Sequence, residues 1–218
     1  MTLDQIITDE STRRAMFPAA ERGPYLAHAG VAPLTAAARD AIARYATEGA
    51  RELPETPWVW QQFKACRQLA GRLIGATEHE ISLVGPTSYG LNLVAQGLDW
   101  KPGDQVIYYE DDYPANVYAW LNLQRLGVEP VPIRTESLPG LGAITWDAIE
   151  PLLTDRTRLV SLATCNFLSG YRLDYADIGR RLHERGVLLC LDAIQTLGAF
   201  PMNVEHVDFL SADSHKWM

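Results

Sequence analysis

Cysteine is scarce in this chain and shows no paired spacing. The 218 residues hold three, Cys66, Cys165 and Cys190, and no CxxC. An odd, scattered set argues against a disulfide framework or a zinc site and fits a reducing compartment, so a cytoplasmic protein without a metal is expected. Cys190 lies in an apolar run and reads as plain core. Long apolar runs are missing too: stretches such as residues 187–191 are far too short to span a bilayer. The opening MTLDQIITDESTRR places acidic residues early and has no apolar segment of the kind a secretory signal needs. Positive charge is in deficit. Against 27 Asp and Glu stand 19 Lys and Arg, a net charge of −8, which disfavours nucleic acid and anionic membrane as partners. Neither GxGxxG nor GxxxxGK(S/T) occurs, which leaves a nucleotide-binding α/β protein poorly supported. A single bound phosphate is still compatible with the charge, since a cradle of backbone N–H groups can hold one.

What is present has the balance of a globular protein, 47% hydrophobic and 21% charged, without repeats or low-complexity tracts. From about residue 81 short apolar segments alternate with helical patterns. That alternation predicts βαβ units and an α/β fold, a mostly parallel sheet with helices on both faces. Strands are predicted at 81–84, 105–109, 128–133, 158–163, 187–191 and 207–212, and helices at 88–98, 115–126, 148–153 and 175–185. Pro130 and Pro132 put the third strand near an edge, because proline cannot donate to a ladder. Residues 187–191 are apolar apart from the small Cys190, which suits a central strand buried on both faces. Residues 1–80 are helix-rich, with a proline-broken stretch at 53–57, and are expected to form an N-terminal arm and lead-in helices. Residues 81–218 are expected to form one large domain.

In open α/β sheets ligands bind beyond the carboxyl ends of the strands. Polar groups follow the predicted strands there five times: Thr87 and Ser88; Glu110 to Tyr113; Thr164 to Asn166; Asp192 and Gln195; and Asp213 to Lys216. Each also has a structural explanation. Thr87 and Ser88 can cap a helix, Asn166 can support a turn, Asp192 can cap the next segment, and His215 and Lys216 can lie in a solvated loop. Their recurrence at one end of the sheet favours a site. A lysine preceded by serine and histidine, with a carboxylate after a buried strand nearby, suits an aldehyde cofactor. A buried Lys amine forms a Schiff base, a carboxylate such as Asp192 keeps the pyridine nitrogen of pyridoxal 5'-phosphate protonated, and a helix N-terminus with the Thr87 and Ser88 hydroxyls suits its phosphate. An aromatic ring such as Tyr113 can stack on the pyridine.

The stretch LLCLDAIQTLGAFPMNVEHVDFLSADSHKWM resembles the cofactor-lysine region of class V aminotransferases, a group that includes cysteine desulfurases, selenocysteine lyases and isopenicillin-N-epimerase-like enzymes. The shared pattern runs through Asp192, Gln195, Gly198, Asp208-Phe209 and His215-Lys216. In the same order, GPTSYGLNLVAQGL resembles the phosphate turn, EDDYPANVYAW the segment with the ring-stacking residue, and TCNFLSGYRLDYADIG the loop whose Asn contacts the phenolic oxygen. YLAHAGVAPLTAAARDAI is similar to the family's opening, so the resemblance covers about residues 25–218.

The resemblance implies the aspartate-aminotransferase-like large domain of fold-type-I enzymes, a pyridoxal-phosphate cofactor, a small amino-acid substrate and a homodimer. It implies a Schiff base on Lys216, which then serves as base at the substrate's α-carbon. Asp192 is placed at the pyridine nitrogen, Gln195 and Asn166 at the ring oxygen, Tyr113 over the ring, and Thr87, Ser88, Ser214 and His215 toward the phosphate. Transamination and C–S lyase or desulfurase chemistry both follow from it, and the alternative is a truncated, non-catalytic relative serving subunit or partner binding. The sequence departs from the desulfurase pattern in two places. Asp213-Ser214 replaces Ser-Gly before His-Lys, and Asp213 is expected to point away from the phosphate. Tyr113 stands where desulfurases usually have His. Enzymes of this kind continue well beyond the lysine, so the large domain is expected to be incomplete here and the C-terminal small domain absent.

Overall fold

A computed structural model describes residues 2–52 and 55–218; of the proline-broken stretch 53–57, Leu53 and Pro54 lie outside the described residues. The chain forms two compact units, Met1–Gln68 and Leu69–Met218.

The first unit is helical. It holds α1 (Leu3–Thr8), α2 (Glu10–Met16), a 3-10 turn at Pro18–Arg22, α3 (Ala36–Gly49) and the start of α4 (Pro57–Ile74). Short helices need their terminal amides satisfied, and side chains supply this. Thr2 and Gln5 form a reciprocal capping box on α1, Asp9 caps α2 and Thr35 caps α3. Among the described residues of this unit none is buried. Leu26 is 91% exposed and Trp60 58%.

The second unit is built on a five-stranded sheet, all parallel, in the order β2-β1-β3-β4-β5. After α5 (Thr87–Gly97) come β1 (Gln105–Tyr109), α6 (Ala115–Leu121), β2 (Glu129–Ile133), α7 (Trp146–Ile149), β3 (Thr157–Ala163), α8 (Tyr175–His183), β4 (Leu188–Asp192) and β5 (Phe209–Ser211). Alternate residues of one strand point to opposite faces, and both faces are covered. Val106, Tyr108, Leu159 and Cys190 pack with Leu91 and Ala95 of α5 and Trp120 of α6. Ile107, Tyr109, Val160, Leu162, Leu189 and Leu191 pack with Ile149 of α7 and Ile178 and Leu182 of α8. This explains why β1 is buried at every position and why the 187–191 segment carries no polar residue. Burial pushes the Cys190 thiol up to about 12, as befits a core residue. No described helix is long and apolar enough to cross a membrane.

Pro130 and Pro132 lie in β2, the edge strand, as expected. The strand expected at 81–84 does not form: residues 81–84 pair with no strand, and Leu83 and Val84 are 43% and 46% exposed. A strand needs a partner for its backbone groups, and apolar composition does not provide one. The helix expected at 115–126 is α-helical only to Leu121 and tightens into a 3-10 turn at Asn122–Leu126, where Gly127 takes a left-handed φ of +77°.

Candidate functional site

Strand register decides which side chains meet. Ala163 lies level with Asp192, and Asp192 with Ser211. The segments after β3, β4 and β5 therefore leave the sheet side by side, at the end where ligands bind in such sheets. The chain passes from β1 out to the edge strand β2 and returns to β3 on the other side, so the topological switch lies between β1 and β3.

At the end of β4, Asp192 is 3% exposed and accepts the Ile194 N–H at 3.1 Å. Burial, opposed by the Ile194 N–H and Lys216 and helped by the charges of Asp112 and Asp213, raises its carboxyl to about 7. Lys216 is itself only 9% exposed. Burial depresses its amine, and the carboxylates of Asp192 and Asp213 oppose that depression. A buried lysine and a buried carboxylate thus share one field. Below them, Thr164 and Thr196 hydroxyls bond each other at 2.6 Å and tie the segments after β3 and β4 together.

Asn166 is 5% exposed in the loop after β3. Its Oδ1 accepts the Leu168 and Ser169 N–H groups at 3.0 Å each and the Ser169 hydroxyl at 3.2 Å, so the amide orientation is set by its own loop. Its Nδ2 is buried with no hydrogen-bond partner. The Asn166 side chain packs directly on Gly142, with φ +68°, where a Cβ would stand 2.5 Å from Asn166 Cβ. Thr87, 5% exposed at the first turn of α5, likewise has a buried Oγ1 without a partner. Buried polar atoms in native proteins are almost always satisfied, so these two orphaned groups leave hydrogen-bonding capacity for a polar ligand or bound water. A buried amine, a carboxyl near neutrality and two unsatisfied donors fit pyridoxal phosphate.

The remaining sequence-derived candidates are more open. Ser88 and Gln195 are half-buried, and Ser214 and His215 are exposed. Tyr113 is 52% exposed, with its ring edge-on to Phe167 at 5.4 Å between centroids. Thr87 is the first residue of α5 and the N-cap is Pro86, so neither Thr87 nor Ser88 caps that helix.

Two groups differ from expectation. Asp213 does not point away from the α5 turn: its Oδ2 accepts the Thr87 N–H at 3.2 Å and lies 3.4 Å from His215 Nδ1. The reason is that Pro86 offers no side-chain cap, so the amide end of α5 attracts a carboxylate from elsewhere. Asp112 was visible only as one of several acidic residues after a strand. It is 6% exposed, pushed by burial up to about 6, and joins β1, α6 and β3 by bonds to the Tyr113 N–H, Asn116 Nδ2 and the Ala163 N–H. Asp112 lies in the turn before α6, outside any helix face, so no local periodicity singled it out.

Comparison with known proteins agrees with this architecture. Cysteine desulfurase CsdA of Escherichia coli is 27% identical over 218 residues, covering 93% of this chain and 53% of that protein. A probable cysteine desulfurase of Methanothermobacter thermautotrophicus is 29% identical over 158 residues, covering 72% and 39%. In fold, the crystal structure of Escherichia coli CsdA superposes with a TM-score of 0.79 at 24% identity, over 94% of this chain and 54% of that one. The apo cysteine desulfurase of Thermococcus onnurineus NA1 gives 0.80 at 20% identity, over 95% and 53%. The chain therefore spans about half, or less, of the length of these relatives. The aminotransferase class-V family model matches residues 25–218, and the chain belongs to that family.

Proposed function

We propose that this chain carries pyridoxal phosphate on Lys216 and acts on an amino acid, by transamination or by C–S lyase or desulfurase chemistry. The observation that carries the reading is the placement of the lysines. The chain has three, Lys64, Lys101 and Lys216, of which the first two are exposed and the third is buried beside the strand-end carboxylates. Burying an ammonium is costly, and a chain so poor in lysine does not bury one for packing.

Bound at this site, the cofactor would supply an electron sink for a carbanion at the substrate's α-carbon. The depressed Lys216 amine has a larger neutral fraction near pH 7, which makes Nζ a nucleophile and then a proton acceptor. Asp192, with its carboxyl near 7, can hold or release a proton at the ring nitrogen it would face. Asn166 Nδ2 and Thr87 Oγ1 offer their unsatisfied groups to the ring oxygen and the phosphate. Gln195, Ser88, Ser214 and His215 are assigned supporting contacts at the same two ends, and Tyr113 the ring face. A homodimer is part of the reading, since the apolar surface of the first unit, with Leu26 91% and Trp60 58% exposed, needs cover.

The test is covalent trapping. Incubation with pyridoxal phosphate, borohydride reduction and peptide mass spectrometry should place the label on Lys216, and Lys216→Ala should remove it. Label confined to Lys64 or Lys101, or unchanged in Lys216→Ala, would sink the reading and favour the non-catalytic alternative.

A further inference from the structure

The first turn of α5 already carries an anion. Asp213, 126 residues away in sequence, accepts the Thr87 N–H. The Tyr89 and Gly90 N–H groups bond the Pro86 carbonyl at 2.7 and 3.2 Å. Among the described residues this leaves the Ser88 N–H as the amide of that turn without a protein partner. Thr87 Oγ1, buried and without a partner, marks the same turn as a place for a ligand.

The position of Asp213 is built into the packing of α5 on β5. Gly90 lies so near β5 that a Cβ there would stand 2.3 Å from Ser211 Oγ, and that hydroxyl donates to the Thr87 carbonyl at 3.1 Å. Two residues beyond Ser211, the chain delivers Asp213 to the end of the helix. His215 Nδ1, at 3.4 Å, faces the same carboxylate oxygen.

We propose that Asp213 is a specificity-determining residue of the cofactor site. Its carboxylate occupies the phosphate end and competes with the phosphate group, so this chain favours the phosphorylated cofactor over the unphosphorylated alcohol less than a site without that carboxylate does. The proposal rests on the pyridoxal-phosphate reading above. A helix N-terminus stabilises one anion; a second anion drawn to the same turn meets like-charge repulsion that water only partly screens in a half-buried site. The phosphate must displace Asp213 from the Thr87 N–H or bind on the Ser88 side against its charge.

The experiment measures dissociation constants of pyridoxal phosphate and of pyridoxal by equilibrium dialysis. It uses the 218-residue chain and its Asp213→Asn and Asp213→Ser variants, with circular dichroism to establish that each is folded. Removing the charge should tighten pyridoxal phosphate about tenfold, equivalent to about 1.4 kcal/mol. Pyridoxal affinity should stay within about twofold, so the ratio of the two constants moves with the phosphate alone. Inorganic phosphate, which meets the same carboxylate, should itself bind the variants more tightly than the wild type by a similar factor. An unchanged ratio in both variants, or weaker pyridoxal phosphate binding, overturns the role of Asp213 and leaves the cofactor reading standing. Failure of every form to bind either aldehyde overturns that reading and this proposal with it.

Discussion

Two carboxylates lie at the ends of neighbouring parts of the sheet with nearly equal burial and very different company. Asp112, after β1, accepts three donors: the Tyr113 N–H at 2.7 Å, Asn116 Nδ2 at 2.9 Å and the Ala163 N–H at 3.1 Å. Asp192, at the end of β4, accepts the Ile194 N–H and faces Lys216 through the field alone. Both are held above the ordinary carboxylate range by burial. The difference shows how a fold separates a structural acid from an available one. Asp112 has spent its lone pairs on joining β1, α6 and β3, and the bonds continue from Asn116 Oδ1 to Ser161 Oγ at 2.6 Å and Trp120 Nε1 at 3.0 Å. Asp192 keeps acceptor capacity for a ligand.

The largest way to break this comparison is truncation. Asp112→Ala strands two backbone amides and an Asn side chain in the interior and should cost about 3 kcal/mol or more in urea unfolding. Asp192→Ala removes one bond and a buried charge and should cost about 1 kcal/mol or less. Equal losses would erase the distinction between the two acids.

The pH dependence sharpens it. A carboxyl held above its unfolded value keeps its proton better in the folded state. Its stabilising contribution is thus full below the model-peptide value of 3.8 and is lost as pH rises to about 6 for Asp112 and about 7 for Asp192. The stability difference between wild type and Asp192→Asn should fall with a slope of at most about 1.4 kcal/mol per pH unit and level off near 7. For Asp112→Asn it should level off near 6. A flat difference in the Asp192 series would mean that this acid is ionised throughout.

The smallest expected effect is at Tyr113, whose backbone N–H serves Asp112 while its ring is 52% exposed. Tyr113→Ala should change stability by no more than about 0.5 kcal/mol. A larger loss would make the ring part of the Asp112 network and not of the ligand site.

Much of this architecture was legible beforehand because periodicity reports burial directly. The unbroken apolar run before Asp192 marked a central strand, and two prolines marked the edge. Residues 81–84 have similar composition and failed as a strand because pairing depends on a neighbour that composition does not supply. At the site, Thr87, Asn166, Asp192 and Lys216 could be named from their places after strands and from family motifs, and all four are buried. The Asp112 network could not be named, since its three donors come from β3, α6 and its own turn.

The sequence by itself determined the fold class and the family, and singled out Lys216 as a candidate, because each is written in local patterns: apolar runs, turn residues and a motif within a few dozen positions. Only the tertiary structure decided which acid remains available and which anion occupies the amide end of α5. Those outcomes depend on register between strands and on a missing Cβ at Gly90, which brings Ser211 and then Asp213 to Thr87. Contacts between residues 126 positions apart leave no local trace, because the geometry that creates them exists only after the sheet has closed its neighbours side by side.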